Sequence, residues 1–218
     1  MKFDDRVLQY KNDLLEKAIY HLKYTIPKKI AEFQKLSENK INNITPEVSQ
    51  DTHLKKRKLE GNAVDNIAID DLVNVNTSIV ESHKKLQHHY IEIIDTFSVI
   101  RAWLSLNVPK IEDGNNFGVD IQEDVIGQLS KLEDLYSGLL EQSEHYYLTR
   151  AEAVKKALKH KNIDAYKYAV LQLDEKESMR SHFAYFDLAN NYATSYSLII
   201  KNFQKLEAPR NSHQSSLF

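Results

Sequence analysis

Histidine and glutamate side chains at helical spacing are the arrangement in this sequence that comes nearest to metal chemistry. His83, His88, His89 and Glu92 lie within about three helical turns, and one turn with His and Glu can bind a divalent metal. A di-iron bundle would need Glu-x-x-His from two helices, and no Glu or Asp has His three residues later. We therefore interpret His83 as a packed residue and the other two as solvated, and we predict no metal site and no cofactor.

Motifs of nucleotide-dependent and nucleophilic enzymes are missing from the sequence. It contains no glycine-rich phosphate loop of the P-loop or dinucleotide type. With no cysteine, a nucleophile would have to be Ser, Thr or Lys, and no serine lies in a nucleophile-elbow pattern. We predict a protein that is not an enzyme.

A short basic run, Lys55, Lys56, Arg57 and Lys58, lies in a polar stretch of the chain. Such a run in an accessible loop can bind a nuclear import receptor, and a solvated charge run without a partner is the alternative. The residues alone leave both interpretations open. No interleaved aromatics or extended basic stripe accompany the run, so we do not expect direct nucleic-acid binding. The net charge of -2 would attract neither nucleic acid nor an anionic membrane.

Composition favours long helices as the elements that position these residues. The 218 residues include only five glycines and four prolines, which is too few for a turn-rich protein. No apolar run approaches the ~20 residues of a membrane span, and Met1 to Arg6 contain no apolar core of a secretory signal. We expect a soluble intracellular protein.

Four segments show the apolar period of an α-helix. They run from about Phe3 to Leu36, from Ile79 to a stop before Pro109, from near Asp120 through Leu158, and from about Ile163 to Leu206. A bend is expected at Pro27, since proline removes a backbone donor and crowds the preceding turn. The second segment has the most regular seam, formed by Ile79, His83, Leu86, Tyr90, Ile93, Phe97, Ile100 and Leu104.

The pattern predicts an all-α fold, an elongated antiparallel four-helix bundle forming a single domain over residues 1–218. Residues 38–71 lose the apolar rhythm and are predicted to be a mobile insert, and residues 208–218 a flexible tail. Apolar residues away from the seams, including Leu135, Phe183 and Phe186, exceed what a slim bundle can bury alone. Assembly with further copies would bury them.

The connection between the second and third helices, residues 108–119, is longer than antiparallel helices need. Two to five residues suffice for such a connection, and this one is about twice that length. Gly114, Gly118, Asn115 and Asn116 lie in it, and glycine and asparagine tolerate the positive φ of tight turns. We predict a shaped loop.

A long string of residues around this loop resembles a known sequence pattern. The string runs from Trp103 to Glu123, with Val108-Pro109-Lys110-Ile111-Glu112-Asp113-Gly114-Asn115-Asn116-Phe117-Gly118-Val119 at its centre. Further similar stretches follow at 146–151, 173–177, 199–206 and 209–210, and residues 26–30 are similar as well. The resemblance is to the 11S proteasome activators. Within the insert, residues 55–60 resemble the nuclear signal of the gamma-type member, although the proline-rich stretch of many members is missing.

The resemblance implies an ATP-independent activator of the 20S proteasome that forms a homo-heptameric ring in the nucleus, with the cytoplasm as a second location. It implies docking on the proteasome α-ring through the C-terminal tail, here Ser216, Leu217 and Phe218, where the family often ends in Tyr. It implies gate opening by an activation loop formed by Pro109, Lys110, Ile111, Glu112, Asp113, Gly114, Asn115, Asn116, Phe117, Gly118 and Val119. A helical scaffold that binds other partners through the basic insert is the alternative, which gives no reason for the loop.

Overall fold

The described part of the chain folds into four helical rods. The computed structural model describes residues 4–44 and 72–210, and the side chains among them except those of 39–44. The first rod consists of α1 (Asp5–Tyr20), a π-helical segment (His21–Thr25) and α2 (Ile26–Ile44), and the other rods are α3 (Thr77–Asn107), α4 (Phe117–Lys159) and α5 (Asp164–Glu207). The 43 residues of α4 give a rod about 65 Å long. The predicted all-α fold is confirmed.

The π-helical segment in the first rod lies directly before Pro27. The N–H of Ile26 bonds to the carbonyl of His21, five residues earlier. A proline ring crowds the carbonyl four residues before it, here that of Lys23, and a wider turn relieves that contact. A π turn thus precedes Pro27, and the bend expected there stays a prediction.

The first rod continues beyond the predicted end at Leu36. Helix α2 extends to Ile44, past residue 38 at which the sequence predicted the insert to begin, and the mobility of the insert stays a prediction. A formed helix gains one hydrogen bond for each added residue, so its backbone can continue beyond the end of the apolar rhythm. The rest of the predicted insert, residues 45–71, lies outside the described residues, as does the basic run at 55–58.

Contacts between the rods define an up-down-up-down bundle. Lys29 bonds to Glu92, while Phe33 contacts His89, so α2 and α3 are antiparallel. Helices α3 and α4 pair Gln87 with Ser143, and α4 and α5 pair Gln122 with the carbonyl of Leu206. The carboxyl end of α3, the start of α4 and the carboxyl end of α5 therefore meet at one end of the bundle.

The core lies along the middle of the bundle and draws on all four rods. All eight predicted seam residues of α3 are buried, including His83. Trp103 stacks on Phe203, and Phe97 contacts Tyr192. At the far end, Leu72 packs on Val154 and Val170 in a smaller cluster.

Candidate functional site

The loop at the end of the bundle has a defined backbone shape. Helix α3 ends at Asn107, before Pro109 as predicted, and Val108 is extended with φ −61° and ψ 124°. Gly114 and Asn115 both adopt positive φ, 83° and 49°. This left-handed region is open to glycine and accessible to asparagine. Positive φ thus occurs at two of the four glycine and asparagine positions of the predicted loop, whereas Asn116 has φ −95° and Gly118 is helical.

Helix α4 begins three residues earlier than predicted. The sequence placed the start near Asp120, but Phe117, Gly118 and Val119 form the first helical turn. The carbonyl of Asn116 accepts a hydrogen bond from the N–H of Asp120 at 2.9 Å, which closes that turn. The loop proper is therefore residues 108–116.

The tip of the loop presents charged and apolar groups to solvent. Ile111 in the loop is fully exposed, and Phe117, the first residue of α4, is 70% exposed. Lys110 Nζ lies 2.7 Å from Glu112 Oε1. This ammonium holds the pKa of the Glu112 carboxyl below its ordinary value, and the charge of Arg210 adds to the effect.

The segment that leaves α5, residues 206–210, is bound to both ends of the loop, and we call it the tail root. Asn107 Nδ2 donates to the carbonyls of Leu206 and Glu207, each at 2.8 Å. Gln122 Nε2 donates to the same Leu206 carbonyl at 2.8 Å. These amides satisfy carbonyls that the last turn of a helix leaves without intrahelical donors.

Pro209 and Gly118 meet through their main chains. Pro209 is buried, and a methyl group on Gly118 would collide with the Pro209 carbonyl. Glycine at position 118 is therefore required by this close approach.

Arg210 binds the loop itself. Its guanidinium donates to the Lys110 carbonyl at 2.7 Å, to Glu112 Oε2 at 3.1 Å and to Asn116 Oδ1 at 2.9 Å. The sequence predicted a flexible tail from Ala208 onward. The anchored part of the C-terminal segment instead extends through Arg210. Arg210 contacts polar groups of the loop and not an apolar seam, so the helical period gave no sign of this anchoring.

The histidines considered for metal binding have other partners. His83 is buried, with Nε2 at 2.8 Å from Glu177 Oε1 and Nδ1 at 3.0 Å from the Tyr147 hydroxyl. His88 is exposed as predicted, whereas His89, which was predicted to be solvated, is only 13% exposed and packs against Phe33. Both lie close to the Glu92 carboxylate. Over residues 4–44 and 72–210, no three His, Asp or Glu side chains are grouped as a metal site. Nor does any described helix combine the length and apolarity needed to span a membrane.

The structure brings the loop residues together with three that sequence reasoning gave no role, namely Asn107, Gln122 and Arg210. Gln122 and Arg210 belong to the residues that resemble the 11S activators. This resemblance was the only signal in the sequence that could have pointed to a role for them. The predicted docking residues Ser216, Leu217 and Phe218 lie outside the described residues. The fold and the site define a helical-bundle protein with a shaped loop fastened to its C-terminal segment.

Comparison with known proteins identifies the family. Residues 72–216 match the model of the C-terminal region of the proteasome activator PA28. Proteasome activator 28 of Dictyostelium discoideum is 56% identical over 218 residues, covering 100% of this chain and 96% of the relative. Proteasome activator complex subunit 3 of Gallus gallus is 33% identical over 173 residues, 76% of this chain and 68% of the relative.

A solved structure has the same fold. The PA28 11S subunit of the Plasmodium falciparum proteasome superposes with a TM-score of 0.77 at 31% identity, covering 94% of this chain and 93% of that one. The chain belongs to the PA28 family of proteasome activators, which are regulators and not enzymes.

Proposed function

We propose that this chain activates the 20S proteasome without ATP, by docking a ring of its subunits on the α-ring and opening the gate with the 108–116 loop. The observation that supports this most strongly is the loop itself. Its Gly114–Asn115 turn is left-handed, its tip is exposed, and its base is fastened to the tail root. A connector without a function would need none of these features.

Docking and gate opening are two separate steps in this proposal. Leu217 and Phe218 supply the apolar contacts of each tail. A single tail binds weakly, and several tails on one ring gain ~10² to 10⁴ in affinity through their effective concentration. The loop then contacts the α subunits and favours their open state by binding it more tightly than the closed one.

The surface of the subunit supports assembly into a ring. Leu135 on α4 is 50% exposed, and Phe183 and Phe186 on α5 are 60% and 53% exposed. Apolar groups on a long flank are buried when identical subunits stand side by side. We propose seven copies of this one chain, as the resemblance to 11S activators implies.

We further propose a gamma-type, nuclear activator. Similarity to proteasome activator complex subunit 3 is consistent with that assignment, and Lys55, Lys56, Arg57 and Lys58 are the proposed import signal. Replacing these four residues by alanine in a fluorescent fusion should shift the protein from nucleus to cytoplasm. Unchanged nuclear accumulation would exclude this run as the signal.

The test of docking compares the intact chain with one that lacks Leu217 and Phe218. Native mass spectrometry of each protein with purified 20S proteasome reports ring size and complex formation together. We expect both proteins to form seven-subunit rings and only the intact ring to bind. Equal binding by both would contradict docking through the tail, and no binding by either would favour a helical scaffold with other partners.

A further inference from the structure

Arg210 joins the two limbs of the loop to each other. Its guanidinium contacts the Lys110 carbonyl and the Glu112 carboxylate on the first limb, at 2.7 and 3.1 Å. It contacts Asn116 Oδ1 on the second limb at 2.9 Å. The left-handed turn at Gly114 and Asn115 lies between these contacts, so one planar group closes the loop across its turn.

The guanidinium is suited to this task. Its rigid fork of N–H donors can bond several acceptors at once, whereas a lysine ammonium is a compact charge on a flexible stem. The side chain of Arg210 is only 17% exposed. Hydrogen bonds from a charged donor are about twice as strong as those between neutral groups.

The backbone that bears Arg210 is itself held in place. Asn107 and Gln122 bond the carbonyls just before it, and Pro209 packs on Gly118. Asn107 ends α3, and Gln122 lies near the start of α4, so the tail root is fixed to both stems of the loop. A shift of the tail root therefore displaces the acceptors that Arg210 holds.

We propose that Arg210 is a positioning residue for gate opening: it fixes the shape of the loop and fixes that shape relative to the root of the docking tail. This inference rests on the proposed function of the loop. It assigns to Arg210 a contribution to gate opening that is separate from the affinity of the tail for the proteasome.

The first test is hydrogen–deuterium exchange of the loop amides in the protein alone. Arg210→Ala should accelerate exchange across residues 110–116, by about tenfold if one charge-assisted hydrogen bond is the main restraint. Lys176→Ala is the matched control, because it removes an exposed cation from α5 about 30 residues before the tail root. Exchange in Arg210→Ala equal to that of the unmodified protein would overturn the proposal, and this result needs no proteasome.

The second test separates positioning from docking. Peptide hydrolysis by latent 20S proteasome is titrated with each ring, which yields an apparent Kd and a maximal rate. Arg210→Ala should lower the maximal stimulation about three- to tenfold and leave the apparent Kd within about twofold. A raised Kd with an unchanged maximum would make Arg210 a docking residue and overturn the proposal.

Arg210→Lys provides a variant that keeps the charge and disturbs the fold least. Its compact ammonium lacks the planar fork of donors with which Arg210 holds both limbs, so we expect faster loop exchange and a lower maximal rate than in the unmodified protein. Loop exchange and a maximal rate equal to those of the unmodified protein would show that charge alone suffices and would contradict the bridging role. If the unmodified ring fails to stimulate hydrolysis, the proposed function fails, while the exchange experiment still decides whether Arg210 holds the loop.

Discussion

The backbone of Gly118 lies directly against the carbonyl of Pro209, so the first turn of α4 and the tail root touch without an intervening side chain. Two segments that are far apart in the sequence thus share one site. Their contact makes the geometry of the loop depend on the geometry of the C-terminal segment.

Gly118→Ala should therefore destabilise the protein. The added methyl forces the Pro209 main chain away, at a cost of about 1–3 kcal/mol. Gly138→Ala is the matched control on the same helix, because a methyl there meets nothing within 4 Å. It should stabilise by about 0.5–1 kcal/mol. Urea unfolding at equal protein concentration measures both, and equal stability of the two variants would refute the close approach.

The turn of the loop yields a second prediction, made at Asn115. Asn115→Gly accepts the positive φ and should keep maximal stimulation of the proteasome close to normal. Asn115→Val places a β-branched residue in the left-handed region, which is strained, and should reduce maximal stimulation several-fold with little change in apparent Kd. Loss of stimulation in both variants would mean that the asparagine side chain, and not the loop shape, acts on the gate.

A buried ion pair at the far end of the bundle gives a third prediction. Arg150 Nε lies 2.8 Å from Asp174 Oδ1, and a second guanidinium nitrogen donates to the Asn74 carbonyl at 3.0 Å. Asp174→Asn leaves a buried cation without its counter-ion and should cost about 3 kcal/mol in unfolding free energy.

The matched comparison is the double variant Arg150→Met with Asp174→Leu. It removes both charges and should cost less than Asp174→Asn alone. Chemical denaturation of the two variants measures the difference. A larger loss in the double variant would show that the pair itself stabilises the fold.

Acid stability depends on Glu92. Burial by itself raises the pKa of this carboxyl, but hydrogen bonds from Lys29 and His89 and the charge of Lys29 lower it below its ordinary value. A carboxyl whose pKa is lowered by folding stabilises the folded state at pH values above the ordinary glutamate pKa. This stabilisation is lost as the pH falls through the folded-state pKa.

Glu92→Gln should therefore destabilise the protein at pH 7 and show a shallower loss of stability between about pH 5 and pH 3. Urea midpoints across this range measure the effect. Glu141→Gln replaces an exposed carboxylate on α4 and controls for the general effect of removing one negative charge. If the urea midpoints of Glu92→Gln and of the unmodified protein fall equally as the pH is lowered, the role of Glu92 in acid stability is contradicted.

The sequence predicted the parts of the structure that local periodicity determines. The α3 seam, its stop before Pro109 and the left-handed turn at Gly114 and Asn115 follow from rules that act over a few residues. The extension of α2 to Ile44 was missed because a helix needs no apolar partner in every turn.

The contacts of the tail root could not be predicted in the same way. Arg210 and Lys110 are 100 residues apart in the chain, and their contact exists only because the up-down-up-down topology brings the ends of α3, α4 and α5 together. A polar residue after the last apolar seam position has the same local pattern whether it is solvated or bound to a loop. The role of Arg210 is therefore visible only in the three-dimensional structure.

The most direct test of the central claim is the initial rate of fluorogenic peptide hydrolysis by latent 20S proteasome, without nucleotide, as the intact ring is added. We expect a saturable increase in rate that disappears when Leu217 and Phe218 are removed. A ring that binds the proteasome and leaves the rate unchanged at saturation would contradict gate opening by this protein.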